Sequence, residues 1–243
     1  NDITTYSYKD GFYKWQEREF RGFGTVDETS PNTAKKKYVF NQDDAQKGKL
    51  ASTQTTDSSD NLYAKTENTW SSAQSNGVYT VNLTQEKNYT YDGFSTGPKV
   101  AQTDWQYDSY GNVTKKSELG DTSAVGDERF HYFEYTINPS LWLVNSLKHT
   151  YLNESNDTIK VSEEWFYYDG NTGLDDVPTK GDVTREVKWS NAIELPNPTT
   201  IYEYDSYGNQ TKVTDANNRV TQQAYETLGT YPISITNAKN QTT

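Results

Sequence analysis

The sequence contains no cysteine and no methionine, and only 2 of its 243 residues are histidine. Without cysteine there are no disulfides, no thiolate metal sites and no cysteine nucleophile. His131 and His149 are far apart, and each lies in a strand-like segment. Convergent imidazole ligands or a histidine acid–base pair therefore have little to draw on, and each reads as an ordinary strand residue. Positive charge is also scarce, with 23 Lys+Arg against 34 Asp+Glu for a net charge of −11. No basic field exists to neutralise phosphates, which excludes nucleic acid as a partner. The one basic run, Lys35-Lys36-Lys37, reads as a solvated turn or strand edge. No apolar run approaches the roughly 20 residues that span a bilayer. No window carries apolar residues at i, i+3, i+4 and i+7, so no long helix is expected. With no initiating methionine and a start in mid-pattern at Asn1-Asp2-Ile3, the chain is expected to be a piece of a longer polypeptide.

What is present is aromatic. Only 32% of the chain is hydrophobic, a proportion that points toward disorder, but 14% is aromatic, with 20 Tyr and 6 Trp. These side chains bury a large area while keeping a polar tip for water or backbone. A stable fold can therefore look hydrophilic if its sheets are thin and wet on one side. Period-2 alternation recurs throughout. Tyr79, Val81 and Leu83 share one face, as do Val161, Trp165 and Tyr167, and Val183, Val187 and Trp189. Turn signals punctuate the runs at Asp10-Gly11, Lys47-Gly48, Asp92-Gly93, Asp169-Gly170, Lys180-Gly181 and Leu228-Gly229. Residues 41–46 and 55–60 read as polar loops, with room for a single helical turn near 43–46, and 170–180 reads as the loosest loop. The pattern predicts an all-β, antiparallel, hairpin-rich sheet.

One stretch occurs twice: Tyr107-Asp108-Ser109-Tyr110-Gly111-Asn112 and Tyr204-Asp205-Ser206-Tyr207-Gly208-Asn209. Strand residues flank both copies, so each reads as strand, tight turn and return strand. The side chains of Asp108, Asn112, Asp205 and Asn209 suit backbone-bonded turns, and Gly111 and Gly208 suit a positive φ. A repeat of this kind buries its faces against its neighbours rather than alone. A second expected structural feature is Glu17-Arg18-Glu19-Phe20-Arg21-Gly22-Phe23. Period 2 puts Glu17, Glu19 and Arg21 on one face and Arg18 and Phe20 on the other. Phe20 and Phe23 are expected to anchor the start of the sheet, and Arg18 or Arg21 to pair with a carboxylate.

Other chemistry is thin. Adjacent Glu163-Glu164 and Asp175-Asp176 point to opposite strand faces, which disfavours a glycosidase pair. Asp43-Asp44 and Asp57-Ser58-Ser59-Asp60 are too sparse for a calcium loop. Trp15, Trp70, Trp105, Trp142, Trp165 and Trp189 could stack on sugar rings, or simply fill a thin core.

The repeated turn resembles the YD-repeat (Rhs-repeat) family. Tyr204-Asp205, Gly208-Asn209, Thr211, Val213-Thr214-Asp215, Arg219-Val220-Thr221 and Tyr225 fit one full period, with Asn217-Asn218 where glycine often stands. An ordered set of motifs resembles the middle region of toxin-complex B components. It begins with Asp10-Gly11-Phe12-Tyr13 and Glu17 to Gly24, then Lys47-Gly48 and Lys65 to Trp70. Trp142-Leu143-Val144-Asn145, Phe166 to Gly170 and Lys180 to Arg185 follow. The resemblance implies a single all-β segment, 1–243, with 1–100 like the toxin-complex middle region and 101–243 YD-repeat-like. It also implies a place in the wall of a β-spiral shell, enclosing or presenting a C-terminal toxin or effector in a secreted or cell-surface protein. The partners implied are the remainder of the same longer polypeptide and an enclosed toxin. No enzyme activity, cofactor or metal is expected. The reading kept beside it is a carbohydrate-binding or adhesive surface module with glycans as ligands.

Overall fold

The computed structural model describes residues 2–91, 93, 96–192 and 195–243. Asn1, and Asp92 of the Asp92-Gly93 turn signal, lie outside these residues. The chain forms two compact units, Asn1–Phe130 with Glu154–Thr158, and His131–Asn153 with Ile159–Thr243.

The first unit contains β1 (Thr5–Lys14), β2 (Glu19–Thr29), β3 (Lys35–Phe40), β4 (Leu50–Thr56), β5 (Leu62–Ser75), β6 (Val78–Thr90), β7 (Lys99–Tyr107) and β8 (Val113–Asp121). Each strand pairs antiparallel with the next in chain order. The second unit is built from β9 (Arg129–Asn138), β10 (Leu143–Glu154), β11 (Ile159–Tyr168), β12 (Val183–Lys188), β13 (Thr199–Tyr204), β14 (Gln210–Thr214), β15 (Val220–Tyr225) and β16 (Pro232–Thr236), again side by side in chain order. From β11 onward every pairing is antiparallel. Among the described residues the only helical element is one 3-10 turn, Pro139–Leu141. The all-β antiparallel fold read from the alternation is the fold observed.

Three places differ from the sequence reading. Asp10-Gly11, expected as a turn, lies inside β1, where the register with β2 shifts between Gly11 and Tyr13. β4 runs through Thr55 and Thr56, and the loop begins only at Asp57. β-branched threonines pair well on a pleated surface whatever their polarity. At 43–46 there is a turn rather than a helix, closed by Asp43 Oδ1, which accepts from the amides of Ala45 and Gln46.

The core is sparse. Tyr168 is the only large hydrophobic side chain counted as buried among the described residues, and Pro178 is the largest that is fully enclosed. Most strand residues are half-buried. Side-chain pairs along and between strands therefore carry much of the packing. Lys36 lies over Tyr38, Lys49 over Trp70, Lys65 over Tyr89 and Lys160 over Trp189, each with the ammonium about 5 Å from the ring centre. Lysine stems cover the rings while the ammonium groups stay wet. This is how a chain so poor in aliphatic residues shields its aromatics.

Candidate functional site

The repeated turn has one geometry. In the second copy Asp205 Oδ1 accepts from the amides of Tyr207 and Asn209, both at 2.9 Å, and Asn209 Nδ2 donates to Asp205 Oδ2 at 3.0 Å. Asp108 does the same with Tyr110 and Asn112, at 2.8 to 2.9 Å. In both, the backbone closes as residue 1 N to residue 5 O and residue 4 N to residue 1 O, with Gly111 at φ +87° and Gly208 at +84°. Three further turns repeat this pattern without glycine. They are Asp57 to Asn61, Asp215 to Arg219 and Asn237 to Gln241, and each has a first side chain accepting from the third and fifth amides. Their fourth residues, Asp60, Asn218 and Asn240, sit at φ +61° to +65°. Short polar side chains tolerate that region, so the Gly-Asn signal reveals only part of the repeat. Asp57 spends both carboxylate oxygens on turn closure. Valine at Gly111 or Gly208 is expected to cost about 1–2 kcal/mol, since a β-branched residue is forced into the left-handed region. Thermal melting of the two variants checks this.

The tyrosine before the aspartate has its own task. Tyr107 Oη donates to the carbonyl of Leu83 at 2.7 Å and Tyr204 Oη to that of Val183 at 2.8 Å, each on the preceding strand. Tyr168, also followed by an aspartate, reaches Leu147 O at 2.8 Å. The dipeptide thus ties back to one strand through Tyr and forward to the next through Asp. Burial pushes the Tyr168 hydroxyl up to about 12, so it remains a neutral donor at neutral pH. Tyr204→Phe is expected to cost about 1 kcal/mol, because the Val183 carbonyl loses its donor. Urea unfolding reads this as a lower midpoint at unchanged slope.

Asp169 holds the segment that the sequence marks as loosest. Its Oδ2 accepts from the amides of Thr179 at 2.6 Å, Lys180 at 2.9 Å and Gly181 at 3.3 Å, and its Oδ1 from Asp182 at 3.0 Å. Asn138 Nδ2 donates to Pro178 O at 2.8 Å, Thr136 Oγ1 donates to Asp176 O at 3.3 Å, and Lys148 pairs with Asp175. The 170–180 segment is therefore packed rather than loose. Its Gly, Asn and Pro residues shape a path that buries Pro178. An open cleft of about 650 Å³ borders it, lined in part by Asp169, Lys180, Arg185, Tyr202 and Asp205. Arg185 lies over Tyr167, its Cζ 3.6 Å from the ring centre, and donates to Thr172 O at 3.1 Å.

In the first unit the buried cation is Arg21, whose side chain is 2% exposed. Its guanidinium meets Glu17 at 2.8 Å, Glu19 at 3.3 Å and Asp44 at 2.6 Å, and donates to Gln42 O at 3.0 Å. Lys14 bridges Glu17 and Asp44, and Lys47 pairs with Glu19. Period 2 placed Glu17, Glu19 and Arg21 together, and they meet. Arg18 is exposed at φ +52° and forms no ion pair among the described residues. Phe20 and Phe23 remain 55% and 38% exposed. They lean on each other edge-on at 5.4 Å, with Tyr8 5.0 Å from Phe23. Gly11 leaves them room, since a Cβ there would stand 3.1 Å from the Phe23 ring. The sheet start is thus fastened by the guanidinium, and the rings, with no second layer over them, stay at the surface.

His149 lies flat against Trp165 and bonds Glu163 at 2.8 Å, with Glu134 at 3.4 Å from its other ring nitrogen. Sequence patterning gave no sign of this, because it depends on the register of three strands. Among the described residues no three His, Asp or Glu side chains gather as metal ligands. Among the described residues no helix is long and apolar enough to cross a membrane.

Residues 1–55 match the family model described as the insecticide toxin TcdB middle/N-terminal region. No curated protein matches the sequence. Over 99% of its length the chain is similar in fold to the crystal structure of TcdB2-TccC3-Cdc42, with a TM-score of 0.64 at 13% identity. It is similar over 99% to that of TcdB2-TccC3 at 0.61, and over 98% to a mutant Photorhabdus luminescens Tc holotoxin pore at 0.62, both at 13% identity. The chain spans about a fifth of the length of these structures. The resemblance to the middle region of toxin-complex B components, carried in the sequence by its ordered motifs, is borne out by the family model at residues 1–55, and along nearly the whole chain the fold is like that of the toxin-complex structures.

Proposed function

We propose that the chain is a non-catalytic scaffold segment of a secreted toxin-complex protein, one stretch of a shell that encloses or presents a C-terminal toxin or effector. The observation that carries this reading is the fold match over the whole chain, together with the family match at its start. The chain's own construction supports it. In each unit strands follow one another in order and turns close through their own side chains. Tyr107, Asp108, Gly111 and Asn112, with Tyr204, Asp205, Gly208 and Asn209, are then wall-joining residues, and Arg21 is the fastener at the sheet start. Residues 1–100 form the toxin-complex-like part and 101–243 the YD-repeat part of one wall.

The test uses the longer protein with its C-terminal polypeptide. In a shell, that polypeptide resists protease until Asp169→Ala or Arg21→Met loosens the wall, and its own activity once released is unchanged. Equal protease sensitivity of the C-terminal polypeptide with and without residues 1–243 would sink the reading. So would turnover of glycosides, esters or peptides by residues 1–243 that disappears when a carboxylate pair is neutralised. Saturable glycan binding lost in Trp15→Ala would instead establish the adhesive module.

A further inference from the structure

The β5–β6 hairpin is longer than the strands beside it. Pairing with β4 ends at Ser52↔Glu67, and pairing with β7 begins only at Gln85↔Asp104. Beyond those points the two strands pair only with each other, from Trp70↔Leu83 to Ser75↔Val78, and the two-residue Asn76-Gly77 turn closes them at φ +49° and +80°. Every residue from Ser71 to Thr80 is exposed. The base is fixed: Trp70 Nε1 donates to Leu50 O at 2.9 Å, and Gln46 Nε2 donates to Trp70 O at 3.2 Å. One residue of the arm, Tyr79, borders a cleft that Phe12, Lys14, Arg21 and Asp44 also line, and a two-stranded ribbon is otherwise marginal by itself.

The sequence of this arm is unlike the rest of the chain. From Asn68 to Gln85 there is no charged residue and no proline, whereas 23% of the whole chain is charged. Free strand edges are usually guarded by charge, proline or bulges. The outer strand β1 fits that rule with Lys9, Asp10 and Lys14. On the outer side of β6 a bulge at Thr84 guards only the arm's base, and Val78 to Leu83 carry no charge and no proline. Leu83's carbonyl faces that side, where it takes the Tyr107 hydroxyl. By strand alternation Val81 and Tyr79 turn their amides and carbonyls the same way, and their side chains share a face with Leu83's.

The geometry points to a strand-pairing site along Tyr79 and Val81, ending at Leu83, whose carbonyl already takes the Tyr107 hydroxyl. The site accepts an extended, uncharged segment of another polypeptide, with an apolar β-branched or aromatic residue at every second position. Backbone hydrogen bonds supply the affinity, and the alternating stripe sets the preference. A second copy of this chain is the poorer occupant: each copy carries a net charge of −11, and the uncharged arm has nothing to offset that repulsion.

The probe is a short, end-blocked peptide of alternating Thr and Val, added to the whole chain. Hydrogen exchange should slow at residues 78–83 in a saturable way. Val81→Lys and Val81→Pro should each weaken binding about tenfold or more, since a charge or a lost donor at an outward position blocks pairing. Both leave the β5–β6 ladder itself intact, so melting should hold, and the lysine variant keeps the amide if the proline variant unfolds. Absence of peptide-dependent protection at 78–83 overturns the site, as does binding by both variants as tight as that of the unsubstituted chain. Concentration-dependent protection without peptide, with dimers in sedimentation, overturns the proposed occupant in favour of a second copy.

Discussion

Asp169→Ala is expected to lower the unfolding free energy of the second unit by about 3 kcal/mol, the largest single effect at any turn. Four backbone amides from Thr179 to Asp182 converge on this one carboxylate. Removing it leaves them without an acceptor in a half-buried site and releases the path that encloses Pro178. Asp169→Asn should recover part of the loss, because its one carbonyl oxygen can still accept while the amide group cannot. Acid reports the same contact. Burial raises the Asp169 pKa, but the amides of Lys180, Thr179, Asp182 and Gly181 outweigh it and hold the group below the ordinary 3.8. A carboxyl depressed in the folded state contributes its stability in full above the unfolded value and loses it as pH falls through the folded one. Stability of the second unit should therefore fall below about pH 4, with a shallower slope in Asp169→Asn. Equal slopes in the two proteins would show that the four amides do not depend on the charge.

Arg21→Met should loosen the junction between the β1–β2 turn and the 41–49 loop, and lower the melting temperature by several degrees. Methionine keeps most of the stem volume while removing the cation shared by three carboxylates. Those carboxylates are partly exposed, so water takes over some of the lost interaction and the effect stays below that of a fully buried pair. The Asp44 carboxyl is held below its usual range first by Lys14 and then by Arg21, and Glu17 likewise. Glu19 is lowered chiefly by Lys47. All three shifts have the same sign, so the cluster is intact at neutral pH and opens as acid titrates it below the ordinary carboxylate range. Salt should weaken the wild-type protein more than the variant. Melting curves identical in low and high salt for both proteins would remove the cluster from the account.

Strand periodicity and turn chemistry were the legible part of this fold. Alternation of Tyr79, Val81 and Leu83 or of Trp165 and Tyr167 announces strands because period 2 is local. The turns at 108–112 and 205–209 show because glycine marks a positive φ, while 57–61, 215–219 and 237–241 hide the same turn behind Asp60, Asn218 and Asn240. The 170–180 segment was misread as loose for a related reason. Its composition gives turn propensity, but the residue that pins it, Asp169, stands just outside it, and the burial of Pro178 depends on β9. Phe20 and Phe23 show the remaining limit. Alternation says which residues share a face, but not whether anything covers that face, and here the enclosed side chain is the arginine between them.

The chain-order pairing of strands has a kinetic consequence. Within each unit a strand finds its partner in the segment just synthesised, so contacts span short sequence separations and little loop-closure entropy is paid at each step. Such a polypeptide can fold as it emerges, hairpin upon hairpin, with one growing edge exposed at any moment rather than a collapsed intermediate awaiting distant residues. Under tension the order reverses, and strands peel one at a time from whichever end is pulled, because no strand is clamped between neighbours remote in the chain.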